Sequence, residues 1–179
     1  MTFVVMFIVL VATSVLQTLL PSYPGLGNAK VPFLLCLVVY YGLNRRPGVS
    51  VTAAVLAGFM QDALSSVPLG YSSFCFAIAA WVVGRFRETV LTEALVTRVF
   101  FGAIPSFGVS LLLYLLLVHD GLLDVSFRLA AAHALGCGVL GAIACPVVCL
   151  LTGGLDRLVG NVRSTEVEVE ISGLGQPYQ

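Results

Sequence analysis

Six long apolar runs, separated by short polar connections, account for most of this chain and constrain what it can fold into. They cover residues 3–20, 31–43, 49–64, 69–84, 95–118 and 129–151. Charged residues make up 10% of the sequence, against roughly 25% in a soluble domain, so a water-facing surface cannot be assembled around these runs. We therefore predict an all-α, polytopic membrane protein with six transmembrane helices.

The basic residues predict how the six helices are oriented. Basic residues in short loops collect on the cytoplasmic side of a membrane. In a six-span arrangement, Lys30 and Arg128 fall on one side. The other basic residues fall on the opposite side: Arg45, Arg46, Arg85, Arg87, Arg98, Arg157 and Arg163. This asymmetry predicts that both termini are cytoplasmic.

The chain is expected to form one transmembrane domain over residues 1–160, followed by a short acidic cytoplasmic tail over residues 161–179. The tail alternates acidic with β-branched residues and could add a strand to a partner's sheet, but its composition favours disorder. Three of the six spans have only 13 to 16 residues. Such short spans are expected to lie behind longer neighbours.

Small residues recur at four-residue spacing along three of the spans and mark faces that pack closely against another helix. The three stripes are Ser50, Ala54, Gly58, Asp62 and Ser66 in the third span, Arg98, Gly102, Ser106, Ser110 and Tyr114 in the fifth, and Ala130, Ala134, Gly138, Ala142 and Pro146 in the sixth. The pattern leaves open whether the neighbour belongs to this chain or to another.

Asp62 is a carboxylate between two stretches of apolar and small residues, so it needs a reason to be there. Ionisable residues within membrane segments are rare and usually specific, which favours an anchor for a partner or ligand. The alternative is structural, a carboxylate that accepts hydrogen bonds from the backbone of the following SSVPLG turn. Lys30 lies on the same predicted side and could pair with Asp62 or reach lipid headgroups, and Pro32 is expected in the first turn of the second helix.

The sequence offers little for catalysis or ligand chemistry. An intramembrane aspartyl protease needs two facing carboxylates, and the phosphate-loop and zinc-protease motifs are absent. The five cysteines lie within apolar runs without a C-x-x-C pair, so neither a zinc site nor disulfides are expected. The net charge is zero, which argues against nucleic-acid binding. We predict no enzyme activity and no cofactor.

Three stretches resemble the MreD family of rod shape-determining membrane proteins. They are LQTLLPSYPGLGNAKVPFLLCLVVYYGL, GFMQDALSSVPLG and WVVGRFR, which together span residues 16–87. The positions that carry the resemblance are Leu20-Pro21, Lys30, Pro32, Gly58-Phe59, Asp62, Ser65, Pro68-Leu69-Gly70 and Gly84-Arg85.

The resemblance implies a non-enzymatic role in cell elongation, in the bacterial inner membrane. It implies binding to an MreC-like protein and, directly or indirectly, cooperation with MreB, RodA and the transpeptidase partner of RodA during peptidoglycan synthesis. In that role Asp62, Ser65, Pro68, Leu69 and Gly70 would fix helix positions or contact a partner. Lys30, Pro32, Gly58 and Arg85 are further candidates.

Two rival interpretations remain open. Substrate-binding subunits of energy-coupling-factor vitamin transporters have a similar span count and similar termini, and their fold is similar to that of the MreD family. Their first helix usually carries an Ala-x-x-x-Ala motif, which the first span here lacks. The other rival is a general membrane assembly factor.

Overall fold

The computed structural model of the chain describes residues 2–19, 29–45, 47–65, 67–86, 95–121 and 126–158. These residues form six helices: α1 (Thr2–Leu19), α2 (Phe33–Asn44), α3 (Pro47–Leu64), α4 (Tyr71–Arg85), α5 (Leu95–His119) and α6 (Phe127–Leu158). The described residues contain no β-strand beyond an isolated bridge at Ala29. The all-α prediction is confirmed, and each helix corresponds to one apolar run. The proposed tail over residues 161–179 lies outside the described residues.

α2 is the buried centre of the fold. Ten of its 12 residues are buried, from Leu34 to Leu43, and it packs against every other helix. A helix that is apolar on all sides is stable only when it is surrounded, and the sequence FLLCLVVYYGLN has no polar face. The expectation that the short spans are shielded is therefore confirmed for α2. α3 and α4 each keep an exposed apolar face, which includes Val55 and Phe74.

The stripes of small residues pack against neighbours within this chain. At Gly58 the backbone of α3 lies against that of α4 near Ser73, so closely that a Cβ would collide with it. α5 and α6 meet in the same way, where Gly102 faces Gly141 and Gly141 faces Ser106. Small residues allow backbones to approach because nothing projects between them, and the sequence forms two tight antiparallel pairs, α3–α4 and α5–α6.

The helix ends gather at two opposite ends of the molecule. The first, called here the Asp62 end, joins the end of α1 at Gln17 to the start of α2 at Leu34 and to the end of α3 at Gln61. The second, called here the Arg45 end, joins the end of α2 at Arg45 to the end of α6 at Asp156. Short connections between antiparallel helices produce this arrangement.

The outer surface is apolar. Large hydrophobic side chains such as Ile104, Ile143 and Leu151 are each 65% exposed. Two helical segments are long and apolar enough to cross a membrane, Thr97–His119 and Phe127–Asp156, with mean hydropathies of 2.1 and 2.4. By the same measure Val4–Leu19 and Phe33–Asn44 are apolar but shorter.

Candidate functional site

Asp62 is the centre of the contacts at the Asp62 end. Its side chain is 2% exposed, and its two carboxylate oxygens accept hydrogen bonds from the backbone N–H groups of Gly70 (2.7 Å) and Ser72 (3.1 Å). These groups belong to the N-terminus of α4, whose first turn has no intrahelical acceptors for its N–H groups. Asp62 therefore caps α4 from the neighbouring helix, and its negative charge lies at the positive end of the α4 dipole.

The turn that joins α3 to α4 has a backbone that suits this cap. Gly70 has φ +107°, a left-handed conformation that residues with a side chain rarely adopt, and space around it is open. Glycine is therefore needed here for its backbone and not for lack of room. Ser65 donates a hydrogen bond from its backbone N–H to the Asp62 carbonyl oxygen (3.2 Å). Pro68 and Leu69 are exposed at the tip of the turn.

A second polar contact at the same end holds three helices together. The side chain of Gln17 donates a hydrogen bond to Gln61 Oε1 (2.8 Å) and accepts one from the backbone N–H of Leu34 (3.2 Å). It thereby satisfies an N–H at the start of α2, where Pro32 is the residue just before the first helical residue.

Lys30 is exposed at this end. Within the described ranges, Lys30 forms no ion pair with Asp62, whose two oxygens are already occupied by the α4 backbone. This geometry matches the structural interpretation of Asp62, in which the carboxylate orders the turn that follows it.

The Arg45 end contains a cluster that the sequence analysis missed. Asp156 Oδ2 lies 2.9 Å from Arg45 Nη2 and accepts a hydrogen bond from the Tyr40 hydroxyl, also at 2.9 Å. The side chains of Arg45 and Asp156 are only 15% and 10% exposed. α6 extends seven residues beyond the predicted end of its run, and this cluster ties its last turns to α2.

A pattern in the sequence could have revealed Asp156. It continues the stripe of Cys145, Cys149 and Thr152 at helical spacing, so an α6 longer than its apolar run would bring it to the same buried face. The predicted sixth run ended at residue 151, so Asp156 fell outside it.

The nine residues singled out from the sequence do not form one cluster. Gly58, Asp62, Ser65 and Gly70 act together in the α3–α4 pair. The others lie apart from it: Lys30 and Pro32 before α2, Pro68 and Leu69 at the tip of the turn, and Arg85, which is exposed at the opposite end of α4.

The contacts on both ends are hydrogen bonds and ion pairs between helices. Among the described residues no group of three or more histidine, cysteine or acidic side chains is placed to hold a metal ion, and the five cysteines are free. The arrangement fixes helix ends relative to one another.

Taken together, the described residues form an all-helical protein with an apolar outer surface, two helices long and apolar enough to cross a membrane, and polar groups that join helices. A comparison with protein families gives the more particular result. The family model described as rod shape-determining protein MreD matches residues 1–151 of the chain. The chain belongs to the MreD family, a family of membrane proteins that determine cell shape and are not known enzymes. Searches of curated proteins and of solved structures returned no match.

Proposed function

We propose that this chain is a non-enzymatic scaffold of the cell-elongation machinery in the bacterial inner membrane. It crosses the membrane six times with both termini in the cytoplasm, and it binds an MreC-like partner through helix packing. Through that partner it acts with MreB, RodA and the transpeptidase of RodA to maintain rod shape during peptidoglycan synthesis.

The observation that carries the proposal is that the buried polar groups of this MreD-family chain join helices to one another. Asp62 caps a neighbouring helix, Gln17 links three helices, and Asp156 binds Arg45 and Tyr40. A catalytic site keeps its acids and bases open to a substrate. Here the carboxylates are occupied by contacts that hold helix positions, which suits a surface that partner helices recognise by shape.

The predicted orientation draws further support from the distribution of charge. Arg45 and Arg85 both lie at the Arg45 end, whereas Lys30 lies at the Asp62 end. Because basic residues collect on the cytoplasmic side of a membrane, this distribution supports a cytoplasmic Arg45 end.

The apolar outer faces provide the contact surface for partner helices. On α1 the side chains of Val4, Ile8, Val15 and Leu19 are more than half exposed. In a membrane such faces meet either lipid or another helix, and association there depends on the complementarity of the packed surfaces.

Depletion of the chain in a rod-shaped host tests the proposed function. We expect the cells to become round, and we expect re-expression of the full chain to restore rods. Vitamin auxotrophy with normal cell shape would support the transporter interpretation and contradict ours. Substrate turnover by the purified chain alone would also contradict it.

A further inference from the structure

The Arg45 end has an open cavity that none of the contacts above fills. It has a volume of about 300 Å³ and lies where the end of α2, the start of α3 and the end of α4 meet. Its lining combines two arginines, Arg45 and Arg85, with Ser50 and Trp81. The cavity is therefore basic and lies at the edge of the apolar surface.

Ser50 gives the cavity an unsatisfied polar group. Ser50 is 2% exposed. Among the buried side-chain oxygen and nitrogen atoms of the described residues, its hydroxyl oxygen is the one without a hydrogen-bond partner. A buried hydroxyl without a partner is destabilising, because it has lost its hydrogen bonds to water and gained none in the protein. Buried polar groups without partners are uncommon enough to require an explanation, and an acceptor bound in the cavity would provide one.

The backbone and the charges favour an anion. α3 begins at Pro47, which lines the same cavity, and the first turn of a helix presents N–H groups without intrahelical acceptors together with the positive end of the dipole. Arg45 forms an ion pair with Asp156. Arg85 adds a second positive charge at the exposed rim of the cavity. Arginine matches phosphate oxygens with two parallel donors.

The neighbouring apolar residues indicate where the anion comes from. Trp81 is 66% exposed and Val51 is 38% exposed, and both line the cavity. Further along α3 and α4 lie exposed apolar residues such as Val55 and Ile78. If the phosphate of a lipid occupied the cavity, the acyl chains of that lipid would lie along this apolar face. Tryptophan is typical of the headgroup level of a membrane.

We propose that this cavity binds the phosphate headgroup of an anionic phospholipid from the cytoplasmic leaflet. Arg85 and the backbone N–H groups in the first turn of α3 bind the phosphate, and the buried hydroxyl of Ser50 donates a hydrogen bond to it. The site goes beyond the scaffold role, and its test does not depend on cell shape.

Trp81 is the one tryptophan of the chain, so its fluorescence reports on this cavity. The full-length chain is placed in phosphatidylcholine bilayers that contain a low, fixed fraction of lipid with brominated acyl chains, which quench tryptophan on contact. Brominated phosphatidylglycerol is compared with brominated phosphatidylcholine. We expect stronger quenching by the anionic lipid, with saturation as its fraction rises.

Variants separate the site from general attraction to negative membranes. Arg85→Gln should weaken the preference for phosphatidylglycerol about fivefold, since a basic residue near the surface contributes about 1 kcal/mol, and Ser50→Ala should weaken it as well. Arg128→Gln removes a charge from the start of α6, and Thr52→Ala removes an exposed hydroxyl from α3. Both should leave the preference unchanged.

Three results would overturn the proposal. The first is equal quenching by the two brominated lipids. The second is a Trp81 response to inorganic phosphate in detergent without a lipid preference, which would assign the cavity to a soluble anion. The third is a response that appears only when a protein partner is added, which would assign the cavity to an acidic segment of that partner.

Discussion

The close approach of α3 and α4 at Gly58 makes the sharpest prediction from the structure. A Cβ added there would lie 2.3 Å from Ser73 Cα and 2.4 Å from Ser73 N. Ordinary contacts begin at 3.4 Å, and because the obstacle is backbone it cannot rotate away, so the helices must separate by about 1 Å. Overpacking of this kind costs about 1–3 kcal/mol. We therefore expect Gly58→Ala to have a free energy of unfolding lower, by that amount, than that of a glycine-to-alanine variant at a position with open space.

Gly108→Ala is the matched control, because it makes the same change in α5, where an added Cβ meets nothing within 4 Å. Both variants share the intrinsic gain of alanine over glycine in a helix, up to about 1 kcal/mol. The difference between them therefore isolates the packing penalty. The assay is the free energy of unfolding of the purified chain in lipid–detergent micelles by denaturant titration. Equal stability of the two variants would refute the close packing of α3 against α4.

Three further substitutions test the polar contacts by the same titration. Asp62→Ala leaves the N–H groups of Gly70 and Ser72 without an acceptor and should destabilise the chain by about 2–4 kcal/mol; a loss below about 0.5 kcal/mol would exclude the capping role. Gly70→Ala should lower the free energy of unfolding by about 1 kcal/mol, because alanine must adopt a positive φ there. Unchanged stability would contradict that backbone conformation. Asp156→Ala removes the acceptor of Arg45 and should cost about 1–3 kcal/mol, whereas a stabilising effect would indicate that desolvation outweighs the ion pair.

The number and order of the helices could be predicted from the sequence because hydropathy depends on local composition. α5 begins at Leu95 as predicted and ends one residue later, at His119. α2 begins at Phe33, not at Pro32, and Pro32 adopts φ −83° and ψ 63°, which are not helical angles. Such shifts at helix ends arise from capping contacts that hydropathy does not contain.

The long-range contacts could be predicted only in part. The spacing of small residues identified Gly58 as a contact position, but the identity of its neighbour depends on how the chain folds back at the turn. Asp62 was recognised because a charge within apolar sequence is conspicuous. Asp156 was missed because its partner, Arg45, is more than 100 residues away in the sequence.

The cavity at the Arg45 end could not be predicted at all. Ser50 was recognised as one member of a stripe of small residues, whereas its unpartnered hydroxyl emerges only when α2, α3 and α4 are packed together. Arg85 was identified, but the linear pattern did not show that it lines one cavity with Arg45 and Ser50. The sequence predicts which residues share one face of a helix, but it does not predict the cavities that form between packed helices.

The central claim is that fixed helix positions allow this chain to hold a partner in the membrane. The most direct measurement is co-purification of the tagged chain from membranes of a rod-shaped host, with the MreC-like protein quantified relative to folded chain. Our account predicts that this partner co-elutes with the unmodified chain and with Gly108→Ala and is reduced with Gly58→Ala. Absence of the partner from a folded, unmodified chain, or equal recovery with a destabilised Gly58→Ala, would contradict it.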